Sequence, residues 1–123
     1  MKKLMIITAG LFLVGMSSCF YDKADLIYPQ QATCDTAAVT YSGTVATILN
    51  SNCNGCHGGA AAAGAGIKLD TYAGVSTWVT NGRLLNSMSH NGQASPMPKG
   101  GSKLDACTIN KVSSWITKGA ANN

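Results

Sequence analysis

Cys53-Asn54-Gly55-Cys56-His57 is the stretch of this chain where reactive side chains crowd together. Two thiols three positions apart can each add across a vinyl group on one edge of a porphyrin. The histidine that follows then brings its imidazole beneath the ring, aimed at iron. Asn54 and Gly55 between the thiols cost little to bend into such a turn. The pattern therefore reads as covalent attachment of one haem c, with Cys53 and Cys56 as thioethers and His57 as proximal axial ligand. Other chemistries fit less well. A zinc site built on Cys53, Cys56 and His57 wants a second ligand pair, and adjacent Cys56-His57 makes poor tetrahedral geometry. A redox-active dithiol wants a βαβ setting that the chain lacks, and a chance match is the remaining alternative.

A second axial ligand has to come from downstream, where Met88, His90 and Met97 are the candidates. Met97 lies between Pro96 and Pro98 and before Lys99-Gly100-Gly101. The two prolines restrict the backbone and can hold a thioether poised in a loop. Met88 shares a helical face with Leu84 and Leu85, which is the usual place of a core methionine. His90, followed by Asn91-Gly92, is either a solvated loop residue or the partner in a bis-histidine site of lower potential. Met97 is the expected distal ligand, with His90, Met88 or an open position as alternatives.

The elements that must position these residues are helical. Tyr41, Val45, Ile48 and Leu49 recur at helical spacing from Thr40 onward, just ahead of the thiols. Gly58 to Gly66 is a low-complexity Gly/Ala segment. Asp70 or Thr71 can cap a short helix carrying Tyr72, Val75, Trp78 and Val79, which Asn81-Gly82 ends. Leu84, Leu85 and Met88 mark another brief helix, and Asn91 to Gly101 reads as a loop. For the last helix, Asp105 is the N-cap and Leu104 can staple onto Ile109. Ile109, Val112 and Ile116 share its face, with Trp115 beside them and Gly119 as the stop. No run alternates long enough to make a strand, so the expected class is all-α. Loops this long in so small a domain need something to pack against.

The chain has 123 residues, with nine basic against five acidic and a formal charge of +4. Lys2-Lys3, an apolar stretch from Leu4 to Gly15 and the small residues Ser17-Ser18 mark residues 1–18 as an export signal. Its removal takes Lys2 and Lys3 away and leaves a charge of +2 on one small domain. No dense basic stripe is present, which excludes the usual nucleic-acid binder, and no apolar run is long enough to span a bilayer. Cys19 directly after Ser17-Ser18 resembles a bacterial lipoprotein junction, with Met16 in the customary leucine slot. That resemblance implies a lipidated Cys19, a tether over residues 19–37, and a domain over 38–121 held on the periplasmic side of a membrane or at the cell surface.

Taken together, the helix before Cys53, the C-x-x-C-H stretch, the Met97-Pro98-Lys99-Gly100-Gly101 loop and the final helix with Trp115-Ile116 resemble single-haem class I cytochromes c. The resemblance spans residues from about 38 to 121. It implies three to four short helices wrapped around one haem, with the first and last helices crossing near an exposed haem edge. The bland Ala60–Ala65 stretch and Tyr41 in the first helix depart from the family pattern. Within this reading Cys19, Cys53 and Cys56 are spoken for. Cys34 and Cys107 remain, and an exported domain favours their pairing as a disulfide over two separate buried thiols.

What this reading implies is one-electron transfer rather than catalysis. A His/Met haem offers no open position, and the chain shows no acid/base cluster. The expected partners are redox proteins and, through the anchor, a membrane; neither nucleic acid nor a small-molecule substrate is expected. Lys99, Lys103, Lys111 and Lys118 can form a basic docking rim or simply a solvated surface. Arg83, the single arginine, is a candidate partner for a haem propionate. Two rivals stand beside the carrier: a haem-based sensor from which Met97 departs, and an accessory haem subunit of a larger respiratory complex.

Overall fold

The computed structural model describes residues 34–123. The expected signal over 1–18, the expected lipidation of Cys19 and the expected tether up to residue 33 lie outside the described residues. Among the described residues every regular element is helical and no strand forms. A π-helical turn, Tyr41–Val45, leads into α1 (Ala46–Asn52); α2 (Asn54–His57), α3 (Tyr72–Thr80), α4 (Arg83–Ser89) and α5 (Ala106–Thr117) follow. That is more elements than the three to four expected. The helix ahead of the thiols opens as a wide turn, and Cys53 then sets its end apart as α2.

Each start has a local cause. The Thr40 hydroxyl accepts from Gly43 N–H, and the Thr40 carbonyl receives the N–H groups of both Thr44 and Val45 at 3.2 and 3.1 Å. The bond to Val45 spans five residues, which makes the first turn π rather than α. Thr71, not Asp70, caps α3 by accepting from Gly74 N–H at 3.2 Å. Asp105 caps α5 as expected, accepting from Thr108 N–H at 2.9 Å and from the Thr108 hydroxyl at 2.6 Å. These bonds, that to the Thr108 side chain first, hold the Asp105 carboxyl below the usual carboxylate range.

The core joins Val45 and Leu49 of the first helical stretch, Val75 of α3, Leu84 and Met88 of α4, and Ile109, Val112 and Trp115 of α5. α5 packs against both the π turn and α4. Trp115, rather than Ile116, completes the inward face of α5: it is 2% exposed, and Ile116 is half-buried at the margin. A tryptophan covers more apolar area than isoleucine, so the helix turns it inward, provided the indole N–H finds an acceptor. It does, at Ala121 O, 2.9 Å away. Tyr41 stacks edge-on to Tyr72 at 5.1 Å and tilted against Trp115 at 5.7 Å, tying the first, third and last helices together.

The domain is longer at both ends than 38–121. At the end, Gly119 N–H and Ala120 N–H close the helix onto Ile116 O and Trp115 O, and the chain turns back. Ala120 O accepts from the Tyr72 hydroxyl, while Asn123 receives Tyr41 N–H on its side chain and Ser42 N–H on its carbonyl, both at 2.8 Å. At the start, residues 34–37 are no tether. Cys34 and Cys107 sit at disulfide distance with Cα atoms 5.3 Å apart. Thr36 O accepts from Ser114 Oγ and Lys118 Nζ, and Ala37 O from Lys118 Nζ. Lys118 thus donates to two backbone carbonyls while staying exposed, as Lys99 and Lys103 do.

Candidate functional site

Cys53, Cys56 and His57 are brought onto a single turn. Cys53 N–H still donates to Leu49 O at 2.8 Å, so the first thiol is anchored on the end of α1. Its backbone then leaves the helical region (φ −126°, ψ −40°), and Cys53 O receives Cys56 N–H and His57 N–H at 3.1 and 2.9 Å. The two thiols differ in surroundings. Cys56 is exposed, whereas Cys53 is half-buried, and burial pushes its thiol pKa up to about 11. Cys53 is therefore a neutral thiol against the apolar margin of the core.

His57 is oriented by the Gly/Ala segment that follows it. Its Nδ1 lies 3.0 Å from Ile67 O, which accepts when that nitrogen carries the proton. In that tautomer Nε2 keeps its lone pair free for a metal. Leu69 N–H donates to His57 O at 2.8 Å, and Gly59 N–H donates to Asp70 Oδ2 at 2.7 Å, so the loop is sewn back onto the turn at both ends. Between them Ala61 O receives both Gly64 N–H and Gly66 N–H. Gly64 lies close against the imidazole: a Cβ there would be 2.5 Å from Nδ1, 2.6 Å from Cys56 O and 2.9 Å from Cε1. What reads as a bland run of small residues is a cradle for one histidine ring.

Met97 is placed elsewhere, on the C-terminal end of α4. Its N–H donates to Ser87 O at 3.1 Å and its carbonyl accepts from His90 Nε2 at 2.9 Å. Its side chain is not part of the buried core, whereas Met88 is, at 2% exposed. Met88 is thus core, as its spacing predicts. His90 is neither a free loop residue nor poised as a ligand through Nε2, because that nitrogen is turned to the Met97 carbonyl. No hydrogen bond links the Met97 turn to His57. Arg83 lies over the Trp78 ring, 5.1 Å from its centroid.

The donor set fits a covalently held haem. Two unpaired thiols three positions apart and one oriented imidazole share a turn, and the other described cysteines are matched with each other. Ile67 beside that turn and Cys53 on it pack on the core yet stay partly uncovered. Among the described residues no three His, Cys, Asp or Glu side chains converge on a metal-binding position, so the Cys53/Cys56/His57 zinc cage is not formed. A recess of about 400 Å³ lies along α5, lined by Thr36, Asn110, Ser113 and Ser114, and reaches none of the four candidate residues. Its walls are hydroxyl-rich and its mouth is open, so it is a surface groove rather than a cofactor site. No helix among the described residues is long and apolar enough to cross a membrane.

Compared with known proteins, the chain matches no family model, no curated protein and no solved structure. The residues named above therefore carry the functional reading alone. Sequence reasoning missed three of them: Gly64, the Ile67 carbonyl and the Met97-facing role of His90. Gly64 and Gly66 among the alanines were the available signal, since glycine in such a run marks close approach or a left-handed turn.

Proposed function

We propose that this chain is a one-electron carrier that holds a single haem c through Cys53 and Cys56, with His57 and Met97 as axial ligands. The observation that carries the reading is the C-x-x-C-H turn with its imidazole already oriented, Nδ1 on Ile67 O and Nε2 free. When bound, haem supplies the one-electron iron couple; the chain's own residues bind it, orient it and limit access to it. Cys53 and Cys56 would hold it as thioethers, formed by addition of each S–H across a vinyl double bond, which needs no leaving group or oxidant. Ile67 O raises the basicity of the imidazole by accepting its other proton. Met97 supplies a thioether, which favours the reduced state and a higher potential than a second histidine would.

The packing of the first helical stretch against α5 agrees with the class I cytochrome c fold to which the motifs point, and that fold is part of the proposal. So is the location: an exported lipoprotein, anchored at Cys19 on the periplasmic side of a membrane or at the cell surface, which meets redox partner proteins through an exposed haem edge. Catalysis is not part of the reading.

The test is chemical. Protein produced with a cytochrome c maturation system should carry one haem by intact mass. That haem should stay with the chain in acidified organic solvent and give a two-thioether pyridine haemochrome spectrum. Extraction of free haem, leaving colourless protein, would refute the proposal. For the anchor, Cys19→Ala should move the protein from the membrane to the aqueous export fraction; unchanged retention would sink that part alone.

A further inference from the structure

We infer that His90 is a positioning residue that clips the backbone of Met97 to the end of α4, an inference that rests on Met97 being the distal ligand proposed above. Both polar groups of the Met97 backbone are taken up by one helical turn: its N–H by Ser87 O at 3.1 Å and its carbonyl by His90 Nε2 at 2.9 Å. His90 closes that turn itself, its own N–H pointing to the same Ser87 carbonyl at 3.4 Å. It does so in the left-handed region, at φ 51° and ψ 40°. Glycine or asparagine would occupy that conformation with less strain. Neither reaches a carbonyl seven residues on as the imidazole does.

The arrangement also settles which nitrogen does what. A carbonyl only accepts, so Nε2 must carry the proton and has no lone pair to offer iron. The intervening loop is braced independently. Asn91 Nδ2 donates to Asn86 Oδ1 at 2.8 Å, Gln93 N–H donates to Asn91 Oδ1 at 3.1 Å, and Asn86 Nδ2 donates to Gln93 Oε1 at 3.3 Å. Beneath it Met88 and Leu84 root α4 in the core. The clip therefore connects Met97 to a rigid element rather than to a free loop. For a one-electron carrier this matters, because a ligand borne on a loop keeps its geometry only where the elements supporting it are fixed.

Two substitutions separate the hydrogen bond from the turn. In His90→Gln the amide nitrogen lies near the position of imidazole Nε2 and can donate to Met97 O. In His90→Asn the left-handed turn is well tolerated but the amide ends short of that carbonyl. Neither amide binds haem iron appreciably. Cyanide binding to the oxidised protein reads how often the sixth position opens, and the thioether–iron(III) absorption band reads whether Met97 is bound. Losing one hydrogen bond should make cyanide binding to His90→Asn about tenfold faster. Haem content and helix content should be unchanged, and His90→Gln should stay within roughly twofold of the parent protein. Equal rates in all three proteins, or equal acceleration in both variants, would overturn the clip. Loss of the sixth ligand in both variants, with Met97→Ala silent, would make His90 the ligand itself. Amide exchange at Met97 in the same proteins reads the clip without haem, and should be fast in His90→Asn and restored in His90→Gln. A chain that takes up no covalent haem refutes the carrier and the ligand role with it, while the exchange result still decides the clip.

Discussion

Replacing Gly64 by alanine adds a single methyl group, and the structure says where it goes. The new carbon would stand 2.5 Å from His57 Nδ1, 2.6 Å from Cys56 O and 2.9 Å from His57 Cε1, where ordinary contact begins at 3.4 Å. Cys56 O is backbone inside a turn, and the imidazole is held at Nδ1 by Ile67 O, so neither can yield freely. Overpacking of this kind costs about 1–3 kcal/mol. Relief by lifting the loop sacrifices the His57 Nδ1···Ile67 O contact at 3.0 Å or the Leu69 N–H to His57 O bond at 2.8 Å. Each such bond is worth about 1 kcal/mol net. The expected loss is therefore about 2–4 kcal/mol, which for a domain of this size lowers Tm by roughly 10–20 °C. Gly66→Ala is the control. Its φ is +76° but no atom lies within 4 Å of the new Cβ, so only the left-handed strain of about 1–2 kcal/mol applies. Urea unfolding of both variants, with the slope unchanged, measures the difference. If Gly64→Ala is no less stable than Gly66→Ala, the loop is not a tight cradle and does not fix the His57 ring.

Met88→Ala should cost about 2–5 kcal/mol of stability, since it empties a nearly buried site, while leaving the haem spectrum in place; a lost sixth ligand would contradict its role as core. Reducing the Cys34–Cys107 pair, 73 residues apart, should lower stability by about 4 kcal/mol on the chain-entropy model, as read by urea midpoints with and without reductant. Before haem is attached, iodoacetamide at mildly alkaline pH should label exposed Cys56 well ahead of Cys53, whose thiol titrates near 11; mass mapping showing equal rates would remove the apolar wall inferred around Cys53. The Asp105 carboxyl titrates lower in the folded than in the unfolded chain, so its contribution is whole above the ordinary aspartate range and lost as pH falls through its depressed folded value. Asp105→Asn should flatten that part of the acid-stability curve, and an unchanged curve would show that the cap carries no linkage.

Much of this molecule is local and therefore legible along the chain. The C-x-x-C-H spacing, the Asp105 cap, the break at Asn81-Gly82 and the buried face of Val45, Leu49, Met88, Ile109 and Val112 all follow from residue type and helical period. So does the absence of strands among the described residues, because no stretch has a two-residue rhythm. What only the tertiary structure decided are contacts between residues that spacing cannot pair. Trp115 turned inward in place of Ile116 because a ring from the first helix and a carbonyl from the returning tail met it there. Lys118 is surface charge, as read, but only the fold shows that it closes onto Thr36 and Ala37, some eighty residues earlier. The Gly/Ala run looked featureless because its partner is an imidazole, and a close approach leaves no side-chain signature except small size. His90 looked like a spare ligand until the loop brought the Met97 carbonyl within 2.9 Å of its Nε2. Periodicity reports which face of an element is apolar; which backbone carbonyl a distant side chain will reach depends on how the loops close, and that is set by the packing of the whole chain.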